Sequence, residues 1–303
     1  MKQKEKRSPQ RAIRRRDGHS FRHDLGQNFI EDEGLLSKLA ELSLAGPEDT
    51  VLEIGPGAGG LTRHLADRCA KLVAVEVDRT LIPFLNIALQ EKKNVVLLCG
   101  DALQVDLQHL VQEHMEEGGK LRIAANIPYY LTSELLERFL TQLPQAESLC
   151  LMVQKEVADK LAALPGEEGY GPLPIRCQVR YRVEQALEVP AACFTPPPKV
   201  DSCFVRLLRR GCPQVPEDLQ KEFDHLVHQM FLLRRKTVLN NLISGMGLPR
   251  EAAKGLLEKL GLDEKVRPER LSIQEYLEIL QALRALQEHG NGNAETGSPG
   301  ENA

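Results

Sequence analysis

The stretch VLEIGPGAGGLT, residues 51–62, runs from an apolar strand through a cluster of glycines into an amphipathic helix. Gly55, Gly57 and Gly60 have the spacing G-x-G-x-x-G, and glycines allow a tight turn and a close approach of the backbone to a ligand. Glu76 ends the next strand, where a carboxylate can accept hydrogen bonds from both ribose hydroxyls of an adenosine. Together these features predict a nucleoside cofactor, and up to this point NAD and S-adenosylmethionine fit equally well.

Outside this stretch, short apolar strand-like runs alternate with amphipathic helical patterns. The alternation predicts an α/β fold with a mostly parallel, doubly wound sheet. The last two strands flank a Pro-rich turn at residues 195–198 and are expected to form an antiparallel edge. The predicted strands are 50–54, 71–76, 95–99, 121–125, 148–153, 183–189 and 202–208, and the helices between them are 33–44, 60–69, 80–91, 107–117, 132–142 and 154–163.

The alternation ends near GCPQVPED, residues 211–218, and only helical patterns follow it. We predict these helices at about 218–232, 236–244, 249–260 and 272–286. The polar, glycine-containing C-terminal end cannot bury a core. The expected units are therefore a basic, flexible arm (1–23), a Rossmann-like domain (24–210), a small all-helical domain (211–287) and a disordered tail (288–303).

Charge is unevenly distributed along the 303 residues, whose formal net charge is −4. Residues 1–23 hold nine Lys and Arg side chains against two acidic ones, a net of +7, so the remaining 280 residues carry −11. A basic arm on an acidic body is typical of a phosphate-binding tail, and a solvated terminus explains the arm equally well. Two further basic runs, Lys199 with Arg206–Arg210 and Arg234–Lys236, are candidates for RNA phosphate contacts.

Composition excludes several classes of protein. No apolar run approaches the roughly 18 residues that a membrane-spanning helix needs, and no secretory signal is present. The seven cysteines have neither a CxxC pair nor a partnered histidine spacing, so we expect reduced thiols and no metal site. We therefore expect a cytoplasmic protein without a membrane partner.

Three further polar residues favour S-adenosylmethionine over NAD. Glu53 precedes the glycines by two positions and suits the amino-acid end of the cofactor, directly or by ordering the loop. Asp101 follows the third strand, where it can accept a hydrogen bond from the adenine amino group; a helix cap is the structural alternative. Asn126 closes the fourth strand. Since ligands bind at the carboxyl ends of parallel strands, we expect these residues to meet in one site.

The segment Asn126-Ile127-Pro128-Tyr129 suits methylation of a planar amine. The Asn126 side-chain oxygen and the Ile127 carbonyl can accept the two N–H bonds of an adenine amino group, which directs its lone pair at a sulfonium methyl. Pro128 stiffens the turn, and Tyr129 can stack on the base. The rate gain would come from positioning and desolvation. In a chain with only 4% aromatic residues, Phe194 is the second expected stacking platform.

These motifs resemble the dimethyladenosine transferase family of ribosomal small-subunit RNA methyltransferases. The resemblance covers about residues 23–280, and its motifs occur in the family's order. The matching stretches are residues 23–30 (HDLGQNFI), 52–62 (LEIGPGAGGLT), 76–78 (EVD), 100–102 (GDA), 126–129 (NIPY), 154–156 (QKE), 194–202 (FTPPPKVDS), 234–237 (RRKT) and 267–271 (RPERL).

The resemblance implies a class I methyltransferase domain and a helical C-terminal domain. It implies dimethylation of N6 of two adjacent adenosines in the 3′-terminal hairpin loop of 16S RNA. The substrate would be the naked RNA or a pre-30S particle. The enzyme would be a monomer with a role in small-subunit biogenesis. The segment around Asn28 is expected to close over the cofactor as a lid. Cofactor contacts are implied for Asn28, Ile30, Gly55, Glu76, Asp101 and Asn126, and the target-adenine site for Asn126, Ile127, Tyr129 and Phe194.

Two alternatives stay open at this point. A large-subunit RNA adenine methyltransferase of the macrolide-resistance type shares the cofactor loop and the 126–129 segment, although the 194–202 stretch and the C-terminal basic run favour the small-subunit enzyme. The second alternative is a mainly non-catalytic protein with the same fold, either a ribosome-assembly factor or a mitochondrial transcription factor. The intact Glu76, Asp101 and Asn126 predict an active enzyme.

Overall fold

The computed structural model describes residues 27–233 and 235–292. The basic arm, Arg234 and the last eleven residues of the predicted tail lie outside the described residues. The described chain forms two sheets. Their strands are β1 (Phe29–Ile30), β2 (Thr50–Ile54), β3 (Lys71–Glu76), β4 (Val95–Cys99), β5 (Leu121–Asn126), β6 (Ser148–Gln154), β7 (Tyr181–Val189), β8 (Phe194–Thr195) and β9 (Ser202–Arg209).

The larger sheet has seven strands in the order β4-β3-β2-β5-β6-β9-β7. Strands β2 to β6 are parallel, whereas β9 pairs antiparallel with β6 on one side and with β7 on the other. The predicted mostly parallel sheet with an antiparallel edge is therefore confirmed. The order reverses at β2, because β3 and β5 lie on opposite sides of it, and this is where open α/β sheets bind ligands.

Both faces of the sheet are buried, as expected for a doubly wound fold. Alternate residues of a strand point to opposite faces. In β6, Leu149 and Leu151 belong to one hydrophobic core, whereas Cys150 and Met152 belong to the other. Because both of its faces are buried, this strand is a continuous apolar run in the sequence, and such a run predicts a buried strand.

Helices cover both faces of the sheet and form the C-terminal part of the chain. Most lie within a few residues of their predicted limits. The helices are α1 (Glu33–Leu42), α2 (Gly60–Ala66), α3 (Ile82–Ala88), α4 (Leu107–Gln112), α5 (Thr132–Gln142), α6 (Lys155–Ala162), α7 (Pro172–Arg180), α8 (Gln220–Leu232), α9 (Val238–Met246), α10 (Arg250–Lys259) and α11 (Ile273–Gly292).

Two helices differ from the sequence expectation. Helix α7 was not predicted, since Pro172 and Pro174 are helix breakers in most positions; here both lie in the first turn, where no intrahelical N–H is lost. Helix α11 is described over Ile273–Gly292 and so includes residues 288–292, which the sequence predicts as part of the disordered tail. No proline occurs there before Pro299, and Glu288 and His289 continue the helix.

The C-terminal helices α8 to α11 enclose a further core, separate from the two that cover the sheet. Phe223 and Tyr276 meet edge to face with ring centroids 6.2 Å apart, and the Tyr276 hydroxyl donates to the Pro268 carbonyl at 2.8 Å. This core also takes in Ile175 and Val179 of α7. Helix α7 therefore joins the helical part to the sheet, and Arg176 on the same helix pairs with Glu137 of α5.

Candidate active site

A cavity of about 440 Å³ opens at the carboxyl ends of β2, β3 and β5. Its volume lies in the range of small-molecule sites in proteins. The cavity brings together every predicted site residue except Phe194. Those that line it are Asn28, Ile30, Glu53, Gly55, Gly57, Glu76, Asp101, Asn126, Ile127, Pro128 and Tyr129.

The glycine loop between β2 and α2 forms the floor of the cavity. Gly55 and Gly57 have φ values of +69° and +61°, in the left-handed region that only glycine adopts without strain. A Cβ atom on Gly57 would lie 2.7 Å from Cε1 of Phe29, so a larger residue would displace the Phe29 ring. The glycines are thus required both by the turn and by the aromatic ring above it.

The Glu76 carboxylate is fixed by the backbone on both oxygens. The Gly57 N–H donates to Oε2 at 3.0 Å, and the Asp78 N–H donates to Oε1 at 2.8 Å. Burial raises the pKa of Glu76, and these two N–H donors partly oppose that rise. Each carboxylate oxygen keeps a second lone pair, so the oriented group can still accept hydrogen bonds from ribose hydroxyls.

Glu53 is the most deeply buried carboxyl group of the cavity, with 1% of its surface exposed. Burial raises the pKa of Glu53 to about 8, the nearby Thr62 hydroxyl opposes this, and the Glu76 charge adds to it. Its Oε2 atom has no hydrogen-bond partner among the described residues. A buried acceptor without a partner is costly, so the cavity is built to receive a donor or a cation at this point.

Asp101 does not cap a helix, which was the structural alternative for this residue. Its Oδ1 accepts the Leu103 N–H at 2.9 Å, which closes a turn after β4. No α-helix begins there, because α4 starts at Leu107 with Asp106 as its cap. Asp101 therefore stabilises a loop rather than a helix, and its carboxylate lines the cavity.

Asn126 is held in a defined orientation by the segment predicted to form a lid. Its Nδ2 donates to the Asn28 carbonyl at 2.9 Å. With the amide nitrogen engaged in this way, Oδ1 is the atom left to accept a hydrogen bond from a ligand. The lid segment thus supplies the contact that decides which end of the Asn126 amide acts in the cavity.

Tyr129 is half-buried, and its hydroxyl lies 2.5 Å from Oγ of Ser202, at the start of β9. Burial raises the pKa of Tyr129, so the phenol is neutral at physiological pH. The hydroxyl contact fixes the ring beside the cavity, which suits stacking on a base. Tyr130, in contrast, is 59% exposed and does not line the cavity.

The structure does not bring Phe194 to the cavity. Strand β8 pairs antiparallel with β1, with Phe194 opposite Ile30, and the Phe194 ring is only 3% exposed. It packs in the core that also holds Leu36 and Phe204. The sequence identified an aromatic residue near a loop but did not show that the pairing of two short strands buries its ring.

Residues around Asn28 contribute more than the sequence indicated. Gln27 donates through Nε2 to Oδ2 of Asp78 at 2.8 Å, and Phe29 covers Gly57. Together with the Asn28–Asn126 contact and the β1–β8 pairing, they attach the lid segment at four places. Gln27 and Asp78 lie in two of the family's motifs, residues 23–30 (HDLGQNFI) and 76–78 (EVD). Nothing in the sequence shows that these two motifs are in contact.

The charges that line the cavity favour a cationic nucleoside. Five residues with carboxyl groups line it: Glu31, Glu33, Glu53, Glu76 and Asp101. Among the described lining residues Arg63 is the only base, and it pairs with Glu33 at 2.8 Å. A dinucleotide diphosphate would meet mainly negative charge here, whereas a sulfonium and an ammonium group would be attracted. The residues present therefore fit S-adenosylmethionine, as the sequence predicted, and disfavour NAD.

The basic runs proposed to contact RNA are partly neutralised. Arg206 pairs with Glu184 at 2.6 Å, and Arg209 lies 3.5 Å from Glu217. Lys199, Arg235 and Lys236 are exposed. Phosphate contacts remain a prediction for both basic runs.

Two solved structures share the fold over most of the chain. A dimethyladenosine transferase from Plasmodium falciparum aligns with a TM-score of 0.72 at 24% identity, over 85% of this chain and 98% of that one. The 23S rRNA methyltransferase ErmE aligns with a TM-score of 0.66 at 26% identity, over 85% of this chain and 100% of that one. The sheet order and the glycine-lined acidic cavity define a class I methyltransferase.

Comparison of sequences places the chain within that class. The ribosomal RNA adenine dimethylase family model matches residues 18–285. Ribosomal RNA small subunit methyltransferase A of Bacillus cytotoxicus and that of Bacillus mycoides are each 39% identical over 269 residues, 88% of this chain and 92% of the relative. The chain belongs to the ribosomal RNA adenine dimethylase family.

The described part of the chain gives three further findings. None of its helices is both long and apolar enough to cross a membrane. Within the same residues, no group of three or more His, Cys, Asp or Glu side chains is arranged to hold a metal ion. All seven cysteines are free thiols.

Proposed function

We propose that this protein transfers methyl groups from S-adenosylmethionine to N6 of two adjacent adenosines in the 3′-terminal hairpin loop of small-subunit 16S ribosomal RNA. Each adenosine is methylated twice, and no metal takes part. The small-subunit target is supported by the 39% identity with relatives named for that activity. The chemistry is supported by one observation above all: Nδ2 of Asn126 donates to the Asn28 carbonyl, which leaves Oδ1 of this cavity-lining residue as the acceptor for an amino group.

The cofactor-binding residues of the proposed site lie at or just after the carboxyl ends of β2, β3 and β4. Glu76 receives the ribose hydroxyls, Asp101 the adenine amino group, and Glu53 lies where the amino-acid end is expected. Gly55 and Gly57 let the backbone approach the cofactor closely. When bound, S-adenosylmethionine supplies an electrophilic methyl group on a positively charged sulfur.

The target adenine is held by the residues that follow β5. Before the first transfer, Oδ1 of Asn126 and the Ile127 carbonyl accept hydrogen bonds from its two N–H groups, which draws the nitrogen lone pair out of the ring plane. Pro128 restricts the turn, and the Tyr129 ring stacks on the base. The base must first leave its own stack, and stacking on an aromatic ring offsets about 1–3 kcal/mol of that cost.

No strong general base is needed in this mechanism. The alkylated amino group is acidic and loses its proton readily, so the protein contributes positioning and exclusion of water. The described cavity accordingly contains acceptors for an amino group and no histidine.

A large-subunit target is the second candidate, because the 23S rRNA methyltransferase ErmE has the same fold at 26% identity. Labelled S-adenosylmethionine incubated with the protein and either small-subunit particles or large-subunit RNA separates the two. We expect label in the small-subunit RNA, up to four methyl groups per molecule. Label only in the large-subunit RNA would overturn this target assignment.

Several finer features belong to the same proposal. We propose that the enzyme acts in the cytoplasm on small-subunit RNA, either free or in a pre-30S particle. It would be a monomer with a role in small-subunit biogenesis. Residues 24–210 would form the methyltransferase domain and 211–287 the helical domain, with the basic arm 1–23 contributing salt-dependent RNA affinity. Removal of residues 1–22 should then flatten the dependence of RNA affinity on salt.

A further inference from the structure

Helix α5 lies beside the proposed site and carries an arginine that no part of the proposed mechanism uses. Arg138 is half-buried on this helix, between the fully buried Leu135 and Phe139. Its guanidinium group has no carboxylate partner among the described residues. Instead, it donates hydrogen bonds to main-chain carbonyls of the loop that follows β4.

The carbonyls that Arg138 binds belong to the two residues that hold Asp101. Nη1 of Arg138 donates to the Leu103 carbonyl, and Nη2 donates to the Val105 carbonyl at 2.6 Å. The N–H of Leu103 donates to Oδ1 of Asp101 at 2.9 Å, and the N–H of Val105 donates to the Asp101 carbonyl at 2.9 Å. Each of the two loop residues is thus bonded to Asp101 on one side and to Arg138 on the other.

Gln142 completes the attachment one turn further along α5. Its Oε1 accepts from Nη2 of Arg138 at 3.1 Å and from the N–H of Leu107, the first residue of α4, at 3.2 Å. The loop is therefore held from its first residue to the start of the next helix. A planar guanidinium with several fixed donors suits two neighbouring carbonyls, and the single ammonium of a lysine does not match this geometry.

The same helix is anchored to the target-base segment at its other end. Thr132, the first residue of α5, donates through Oγ1 to the Tyr129 carbonyl at 3.1 Å. Helix α5 thus contacts the segment proposed to bind the target base and, through Arg138, the loop that carries Asp101. Its buried face, which includes Leu135, Leu136 and Phe139, packs in the core of the sheet.

We propose that Arg138 is a positioning residue for cofactor recognition: it holds the 101–105 loop so that the Asp101 carboxylate reads the amino group of the cofactor's adenine. The proposal rests on the proposed function, because it assigns the adenine to Asp101. Arg138 itself does not line the cavity. Its loss should therefore weaken base discrimination without removing a ligand contact.

The test uses two probes that differ at one position of the base. S-adenosylhomocysteine carries an amino group at C6 of the purine, and S-inosylhomocysteine carries an oxygen there. The dissociation constants of both are measured by titration calorimetry with the full-length wild type, Arg138→Met, Asp101→Ala and the double variant. Arg138→Met keeps much of the aliphatic volume but leaves the Leu103 and Val105 carbonyls without their donors.

We expect the wild type to prefer the adenosyl probe by about tenfold or more, since a site that binds a polar group discriminates against its loss. Arg138→Met should lose most of that preference, as Asp101→Ala does. The double variant should lose no more than either single variant, because the two residues act as one unit. For methyl transfer, Arg138→Met should raise KM for the cofactor several-fold and change kcat less than twofold.

Two controls separate positioning from a general loss of structure. Arg68 is another half-buried arginine, and it donates to the His64 carbonyl, away from this loop. Arg68→Met should therefore leave the preference for the adenosyl probe unchanged. If Arg138→Met does not fold, Arg138→Lys replaces it, with partial loss of preference expected. The proposal is overturned if the folded variant keeps the full preference or if the two substitutions have independent effects. A wild type that binds neither probe would instead contradict the proposed function.

Discussion

One end of the cavity is proposed to bind the cofactor and the other the target base, and the two ends are built in different ways. At the cofactor end, backbone N–H groups of Gly57 and Asp78 hold the Glu76 carboxylate. At the target end, the Tyr129 ring depends on one hydroxyl contact with Ser202, and the Asn126 amide depends on one carbonyl. Glu76 is thus oriented by two main-chain donors, whereas Asn126 and Tyr129 each depend on a single contact. Substitutions at one end should therefore change cofactor affinity, and substitutions at the other should change methyl transfer to the base.

The largest effect is expected at the target end, for Asn126→Ala. Loss of the acceptor for the adenine amino group should lower kcat/KM for methyl transfer by roughly 10²–10³-fold, as for other single polar contacts to a reacting group. Affinity for S-adenosylhomocysteine, measured by calorimetry, should change less than tenfold. Unchanged methylation in this variant would show that the Asn126 mechanism is wrong.

The second effect is expected at the cofactor end, for Glu76→Gln. The amide keeps one acceptor but presents an NH₂ group to the Gly57 or Asp78 N–H, which opposes the observed contacts. We expect affinity for S-adenosylhomocysteine to fall about 10–100-fold, because a charge-assisted acceptor of two hydroxyls is lost. Asp67→Asn, an exposed carboxylate paired with Lys92, is the matched control and should bind normally.

Tyr129 and Phe194 give a direct test of which aromatic residue supports the base. Tyr129→Ala should raise KM for RNA about tenfold, in line with about 1–3 kcal/mol of stacking, and Tyr129→Phe should largely retain activity. Phe194→Leu should change KM for RNA less than threefold, since its ring is 3% exposed. An increase in KM for Phe194→Leu as large as that for Tyr129→Ala would mean that Phe194 leaves the core to stack on the base.

The smallest effect is expected for Glu53→Gln, and it is a change in pH dependence. The pKa of Glu53 is raised to about 8 in the folded protein by burial, against 4.5 for the ordinary group. The folded state therefore binds this proton more tightly than the unfolded state, and the stabilisation is lost as pH rises through about 8. Between pH 6 and 9, Tm of the wild type should fall more than that of Glu53→Gln. Parallel Tm profiles would contradict the raised pKa.

The sequence predicted the cofactor end more completely than the target end. Gly55, Glu76 and Asp101 all follow strands whose apolar runs are unambiguous, and parallel strands bring their carboxyl ends together. Their convergence therefore followed from the fold alone. Asn126 to Tyr129 were found in the same way, at the end of β5.

The misplaced and missed residues depend on contacts between distant parts of the chain. Phe194 is buried because β8, only two residues long, pairs with β1, which is 164 positions away at Ile30. Arg138 lies 35 positions from the Leu103 carbonyl that it binds. Neither contact has a periodic pattern in the sequence, since a two-residue strand is too short to show one and a side chain bonded to backbone has no required partner type.

Mass spectrometry of small-subunit ribosomal RNA tests the central claim most directly. RNA from cells that lack the gene is compared with RNA from the same cells carrying the wild-type or the Asn126→Ala protein. We predict that two adjacent N6,N6-dimethyladenosines in the 3′-terminal hairpin loop disappear in the deletion, return with the wild type and stay absent with Asn126→Ala. Persistence of both dimethylated adenosines in the deletion strain would contradict the proposed function.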